Sequence, residues 1–235
     1  MSFKAQESLS DQVAIHFAKE IIVGDLLAGD RIQEVRYAKE LEVSRGTIRE
    51  ALLILERWHL IQILPRRGAV VTDMSEEHVN SLYEIVSVLM VQLVRKAVQI
   101  KDEDTWDPFF ALIHEMQQYV DERMVEEFHD VSFRFFSALY PLAQNHFLED
   151  TLENLQPAVR RSYYLAIHVD RQEMLDSLAF FKAILESMIR GDKTAAEEVI
   201  EGFFDQQRQL VLQSIIRQRQ LEVAWSHRYR RGGSK

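Results

Sequence analysis

Residues 44–71 read SRGTIREALLILERWHLIQILPRRGAVV. The stretch opens on Ser44, whose hydroxyl is of the type that caps a helix by accepting from main-chain amides of the first turn. Ile48, Ala51, Leu55 and Trp58 then recur at spacings of three, four and three, and so point to one side of a helix. Arg45 and Arg49 stand one turn apart on another face, beside the helix start, where free backbone amides already favour an anion. The pattern then changes. In LIQILPRRGAVV, residues 60–71, two β-branched runs flank Pro65, Arg66, Arg67 and Gly68, which is turn chemistry between two strands of a small hairpin.

Upstream, a helix is expected over about 8–23, then a loop from Gly24 to Asp30, a short helix around Val35 to Leu41, and a tight turn at Glu42-Val43. Helix, short helix, turn, helix and hairpin in that order describe a winged helix-turn-helix. Downstream, Thr72 to Glu77 carry helix-start signals, so the boundary falls there: residues 1–74 as a DNA-binding domain, 75–235 as an all-helical domain with a basic C-terminal tail. Six helices are expected, at about 76–100, 104–120, 125–144, 147–168, 171–190 and 193–220, with Pro108, Pro141, Pro157 and Gly191 punctuating or kinking them. The fold class is mainly α: a winged domain followed by an antiparallel helical bundle.

Charge follows the same division. The whole chain has net −9, yet residues 1–74 carry −1, residues 75–205 carry −14 and residues 206–235 carry +6. Acidity belongs to the bundle, while residues 44–71 are locally +3, with five Arg against Glu50 and Glu56. A basic helix and turn within an acidic chain suit a nucleic-acid surface, because duplex affinity rests on phosphate neutralisation. Arg is also the residue matched to guanine O6 and N7 in the major groove. The bland alternative for any two of these arginines is a solvated surface pair; their joint placement argues otherwise.

Other chemistry is thin. With 235 residues and no cysteine, disulfide, thiolate and iron–sulfur chemistry are excluded, and a reducing cytoplasm is expected. The start, MSFKAQ, lacks an apolar targeting core, and no apolar run is long enough for a membrane span. No Ser, His and Asp arrangement, phosphate-binding glycine loop or metalloprotease motif occurs, so an enzyme is not expected and no cofactor is implied. His114, His129, His146 and His168 share no metal-ligand spacing and are expected at the surface or at caps.

Residues 29–71 resemble the DNA-binding domain of GntR-family bacterial repressors. The matching positions include Gly29, Glu34, Ala38, Leu41, Ser44, Arg45, Arg49, Glu50, Ala51, Leu52, Gly68 and Val71. The resemblance implies a homodimer on a double-stranded DNA operator. Arg45, Thr47 and Arg49 would contact it, with support from Ser44, Gly46 and Arg36 and from Arg66 and Arg67 of the wing. Gly46 stands where the family usually has a side chain, and Val35 where it commonly has Arg.

The remainder is similar, more weakly, to the all-helical effector domain of the FadR subfamily. In most of its members an Asp and three His hold a divalent metal inside the bundle. Anchored on Asn145, the Asp position falls on Ser132 and the first His position on Phe136. Anchored on Ile184-Leu185 and on Gly191-Asp192, the other two His positions fall on Phe181 and Phe203. An Arg and a Glu of the first bundle helix correspond to Val86 and Met90. Phenyl rings offer a metal no lone pair, so no metal is expected. Two readings of this set stay open: a filled apolar interior with no effector, or an apolar pocket for a fatty acid or acyl-CoA, with Arg160, Arg161, Tyr163 and Tyr164 as head-group partners. A helical interaction protein without specific DNA binding is the competing class.

Overall fold

Ser44 does begin a helix. A computed structural model describes the backbone of residues 8–166 and 171–232, and the side chains of residues 8–164, 171–217 and 220. The elements run α1 (Leu9–Val23), β1 (Arg31–Ile32), α2 (Glu34–Glu40), α3 (Arg45–Arg57), β2 (Ile61–Leu64), β3 (Gly68–Val71), α4 (Glu76–Ala97), α5 (Asp107–Glu122), α6 (Val125–Leu139), α7 (His146–Ala166), α8 (Arg171–Arg190) and α9 (Lys193–Gly232). Short 3-10 turns at Glu103–Trp106 and Tyr140–Ala143 lead into α5 and follow α6. The backbone groups into two units: the residues up to His78 together with Asn154–Tyr164, and Val79–Glu153 together with the residues from Leu165 onward.

In the first unit, Ile48, Ala51, Leu52 and Leu55 of α3 are buried against Val13, Ala14, Phe17 and Ile21 of α1 and Tyr37 and Ala38 of α2, with Trp58 packed at the edge. Phe17 meets Tyr37 edge-on at 4.8 Å between centroids. The wing is a three-stranded antiparallel sheet in the order β1-β3-β2, with Ile61 opposite Val71, Leu64 opposite Gly68, and Arg31 opposite Val70. The expected hairpin is thus joined by β1, a two-residue strand too short to announce itself by alternation. Main-chain bonds from Gly29 N to Val71 O (3.0 Å) and from Val71 N to Asp30 O (2.9 Å) fasten it.

Every regular element of the second unit among its described residues is a helix. Pro108 sits in the first turn of α5, where a missing amide costs nothing, whereas Pro157, in the part of α7 that belongs to the first unit, lies inside that helix and does not end it. Polar contacts tie the helices at their margins. Arg95 of α4 holds Glu197 of α9 through Nε (2.7 Å) and Nη2 (3.2 Å), Lys182 of α8 donates to Gln117 of α5 (3.0 Å), and Arg134 of α6 pairs with Glu115 of α5. The interior is aromatic. No helix among the described residues is long and apolar enough to cross a membrane.

Candidate nucleic-acid interface and bundle interior

The start of α3 is fixed by its cap. Ser44 has extended backbone, its hydroxyl accepts from Thr47 N at 3.0 Å, and its oxygen lies 2.9 Å from Thr47 Oγ1. Burial of Ile48, Ala51 and Leu52 then fixes the roll of the helix, which leaves Arg45, Gly46 and Arg49 exposed and Thr47 half-buried at its N-terminal end. Arg49 Nε donates to Glu34 Oε2 of α2 at 2.9 Å, which orients the guanidinium while 65% of its side chain stays open to solvent. Arg36, also on α2, lies over the Tyr37 ring at 5.3 Å and pairs with Glu40 at 3.5 Å. Glu50, on the far side, accepts from Ser10 of α1 and so is spent on helix packing.

At the wing, Arg67 N donates to Leu64 O at 3.2 Å, with Pro65 and a positive-φ Arg66 (64°) at the two central positions. That is the pattern of a type II turn, in which the second central residue takes a left-handed backbone usually left to glycine. The turn carries Arg66 and Arg67 outward, both exposed. Gly68 follows at φ 76°, and the guanidinium of Arg31 lies within 3.6 Å of the point a β-carbon there would occupy. Arg31 is a wing cation that reading the sequence for a two-stranded hairpin misses. Its signal was the dipeptide Arg31-Ile32 directly after Gly29-Asp30.

The structure brings the three phenylalanines at the metal-ligand positions together. Ring centroids are 5.4 Å apart for Phe136 and Phe181, 5.8 Å for Phe136 and Phe203, and 5.9 Å for Phe181 and Phe203. Three neighbours join them. Phe180 stacks on Phe203 at 3.8 Å and 14°, Phe135 meets Phe181 at 5.0 Å, and Phe204 meets Phe136 at 5.8 Å. The resemblance singles out one ring of each pair, yet the doublets 135–136, 180–181 and 203–204 are plain in the chain. Val86 and Met90 are buried in α4, and the buried Ser132 hydroxyl donates to Phe128 O at 2.8 Å.

These residues do not fit a divalent metal. Its place is lined by rings without donor atoms, and the one hydroxyl available serves its own helix; among the described residues no group of three His, Asp or Glu converges. Beside the rings, Tyr83, Val88 and Phe204 floor a groove of about 480 Å³ between α4 and α9, rimmed by Glu84, Glu201, Asp205 and Arg208.

Arg161 belongs to the first unit, is buried, and donates to Thr72 Oγ1 at 2.8 Å. Arg160, Tyr163 and Tyr164 lie in that same unit and are half-buried. His129 is buried rather than at the surface, its ring edge-on to Phe128 at 5.8 Å. His114 and His146 are exposed as expected, and His168 lies outside the described residues, as do the side chains of Trp225 and Tyr229 in the basic tail.

Comparison with known proteins agrees with this geometry. Residues 9–71 match the model of bacterial regulatory proteins of the gntR family, and residues 81–206 match the FCD domain. The chain is 25% identical over 170 residues to the HTH-type transcriptional repressor RspR of Escherichia coli, covering 72% of this chain and 75% of that protein. It is 24% identical over 211 residues to the gluconate operon transcriptional repressor of Bacillus subtilis, covering 90% and 82%. Among solved structures, E. coli McbR/YncC shares the fold with a TM-score of 0.76 at 20% identity, over 89% of this chain and 100% of that one. The winged unit with its exposed arginines and the helical domain after it thus have their counterparts in regulators rather than enzymes, and the chain belongs to the GntR family of transcriptional regulators, with an FCD domain following its DNA-binding domain.

Proposed function

We propose that the protein binds a short palindromic operator as a homodimer of the FadR type, with residues 1–74 reading DNA and residues 75–235 serving dimerisation. Arg45, Thr47 and Arg49 face base edges in the major groove, Ser44, Gly46 and Arg36 border them, and Arg66 and Arg67 hold the backbone from the wing. The observation that carries this reading is the start of α3, where a capped N-terminus presents two exposed arginines while the opposite face is locked in the core. Two-fold operators mirror two-fold proteins, which supports the dimer.

A gel shift on the gene's own promoter region at rising salt tests it. Specific retention should weaken with salt, and Arg49→Ala should abolish it. Absence of retention at low salt, or unchanged affinity in the variant, would count for a helical interaction protein instead.

For the bundle, the ring contacts favour a filled, metal-free interior over a fatty acyl pocket. An alkyl chain would have to part rings already in contact, one pair at 3.8 Å. Long-chain fatty acid or acyl-CoA should therefore leave both the melting temperature and operator affinity unchanged; a rise in the first or a fall in the second would restore the acyl effector.

A further inference from the structure

Helices α4 and α9 run antiparallel and are clasped at two places. Arg95 holds Glu197 through Nε (2.7 Å) and Nη2 (3.2 Å), and towards the other end of α4 Asn80 Oδ1 accepts from Nη1 of Arg208 at 2.8 Å. Between the clasps lies the groove of about 480 Å³, and all its lining residues belong to the second unit. Its floor is apolar. Tyr83 and Phe204 are buried, with ring centroids 6.4 Å apart, while Val88 beside them is 61% exposed.

The rim is acidic. Nη2 of Arg208 pairs with Asp205, so the cation at the rim is already spent. Glu84 and Glu201 form no ion pair with any described residue, and Arg95 reaches Glu201 only through its longer-range charge. An uncovered apolar floor between two unpaired carboxylates suits a partner that is both aromatic and cationic.

The chain itself carries such a segment. Residues 217–235 hold six Arg and Lys against Glu222 alone, and Leu221, Trp225 and Tyr229 recur four apart among them. That spacing is the signature of one helix face, and Trp, Tyr and Arg are the side chains that most often anchor protein interfaces. The segment does not reach the groove of its own copy: α9 runs on unbroken from Arg208 to Gly232, a rise of about 36 Å leading away from it. A second copy has no such restriction. DNA phosphates would engage the arginines but leave the apolar stripe uncovered, whereas the groove takes both.

We propose that the groove between α4 and α9 receives residues 217–235 of a second copy. An aromatic ring enters over Tyr83 and Phe204 while arginines meet Glu84 and Glu201. The contact rests on the homodimer of the operator reading and gives that dimer a named piece of interface.

The absence of cysteine makes the test clean. Val88→Cys, labelled with benzophenone maleimide, is exchanged with an isotopically heavy chain that lacks the probe, irradiated, and mapped by mass. Cross-links should join the probe to residues 217–235 of the heavy chain. Their yield should fall severalfold between about 0.1 M and about 1 M salt, as the screening length shrinks from about 10 Å to about 3 Å, and severalfold again in Glu84→Lys with Glu201→Lys. Cross-links confined to one copy, mapped outside residues 217–235, or indifferent to salt would each overturn the contact. With no substitution at all, hydrogen exchange over residues 80–88 and 201–208 should quicken when the chain is ended after Ile216. Unchanged exchange there, with weakened retention of DNA, would assign the segment to DNA instead. Sedimentation of the same samples separates the two readings: a dimer without the cross-link overturns the groove contact alone, and a monomer overturns the homodimer with it.

Discussion

The winged unit and the aromatic bundle treat the positions their family resemblance marks as functional in opposite ways. In the wing and α3 those positions remain polar and exposed, and their neighbours are spent holding them: Ser44 caps, Glu34 pairs, and Pro65 with a left-handed Arg66 turns the strand. In the bundle, the corresponding positions are phenyl rings packed on one another, and the remaining hydroxyl bonds back to its own helix. The difference teaches that shape can outlast chemistry. The helices to which the resemblance assigns metal ligands converge here on phenyl rings, held by dispersion and hydrophobic burial.

The comparison breaks most readily at Phe181, 1% exposed and in contact with Phe135, Phe136, Phe180 and Phe203. Phe181→Ala should cost about 3–5 kcal/mol in denaturant unfolding. A loss under about 1 kcal/mol would show rings loose enough to admit a guest. Restoring the polar set, with Ser132→Asp, Phe136→His, Phe181→His and Phe203→His together, should create a response the unaltered chain lacks. Zinc at a hundredfold excess over its Kd should stabilise that variant by about 2.7 kcal/mol, read as a rise in Tm, and leave the unaltered protein unmoved. Identical responses would mean that the helices do not converge as described.

On the other side, Arg45→Ala should weaken operator binding by about 1–3 kcal/mol with little change in Tm, since the side chain is exposed and packs nothing. A matching loss on unrelated DNA would reassign Arg45 from base to phosphate. The smallest effect belongs to pH. The folded state holds His78 below its ordinary value of 6.5. As pH falls through that value, the unfolded chain takes up a proton the folded one resists, so stability should decline towards the depressed folded pKa and recover above the ordinary range. His78→Gln should flatten that slope in pH-dependent unfolding curves.

Much of α3 was legible because several local signals agree: a cap at Ser44, apolar spacing from Ile48, and turn residues at Pro65 and Gly68. Convergence of Phe136, Phe181 and Phe203 was legible through resemblance, since periodicity alone places each ring on a face and not beside another helix. What stayed hidden was set by tertiary contact. Two residues, Arg31 and Ile32, cannot show strand alternation; they pair because β3 offers an edge. Burial of Arg161 and His129 follows from which segments pack together, and neither residue's neighbours in sequence announce it.

On the proposed reading, Arg49 would meet DNA already engaged by Glu34. An exposed pair of this kind is worth little on its own, commonly under about 1 kcal/mol, but it sets a threshold. Each phosphate or base edge must compete with a carboxylate in place. A generic phosphate replaces one anion by another and gains little, whereas a guanine offers two acceptors to the Nη nitrogens while Nε keeps its partner. On that reading Glu34 would act as a built-in competitor, lowering grip on indifferent sequence more than on the right one.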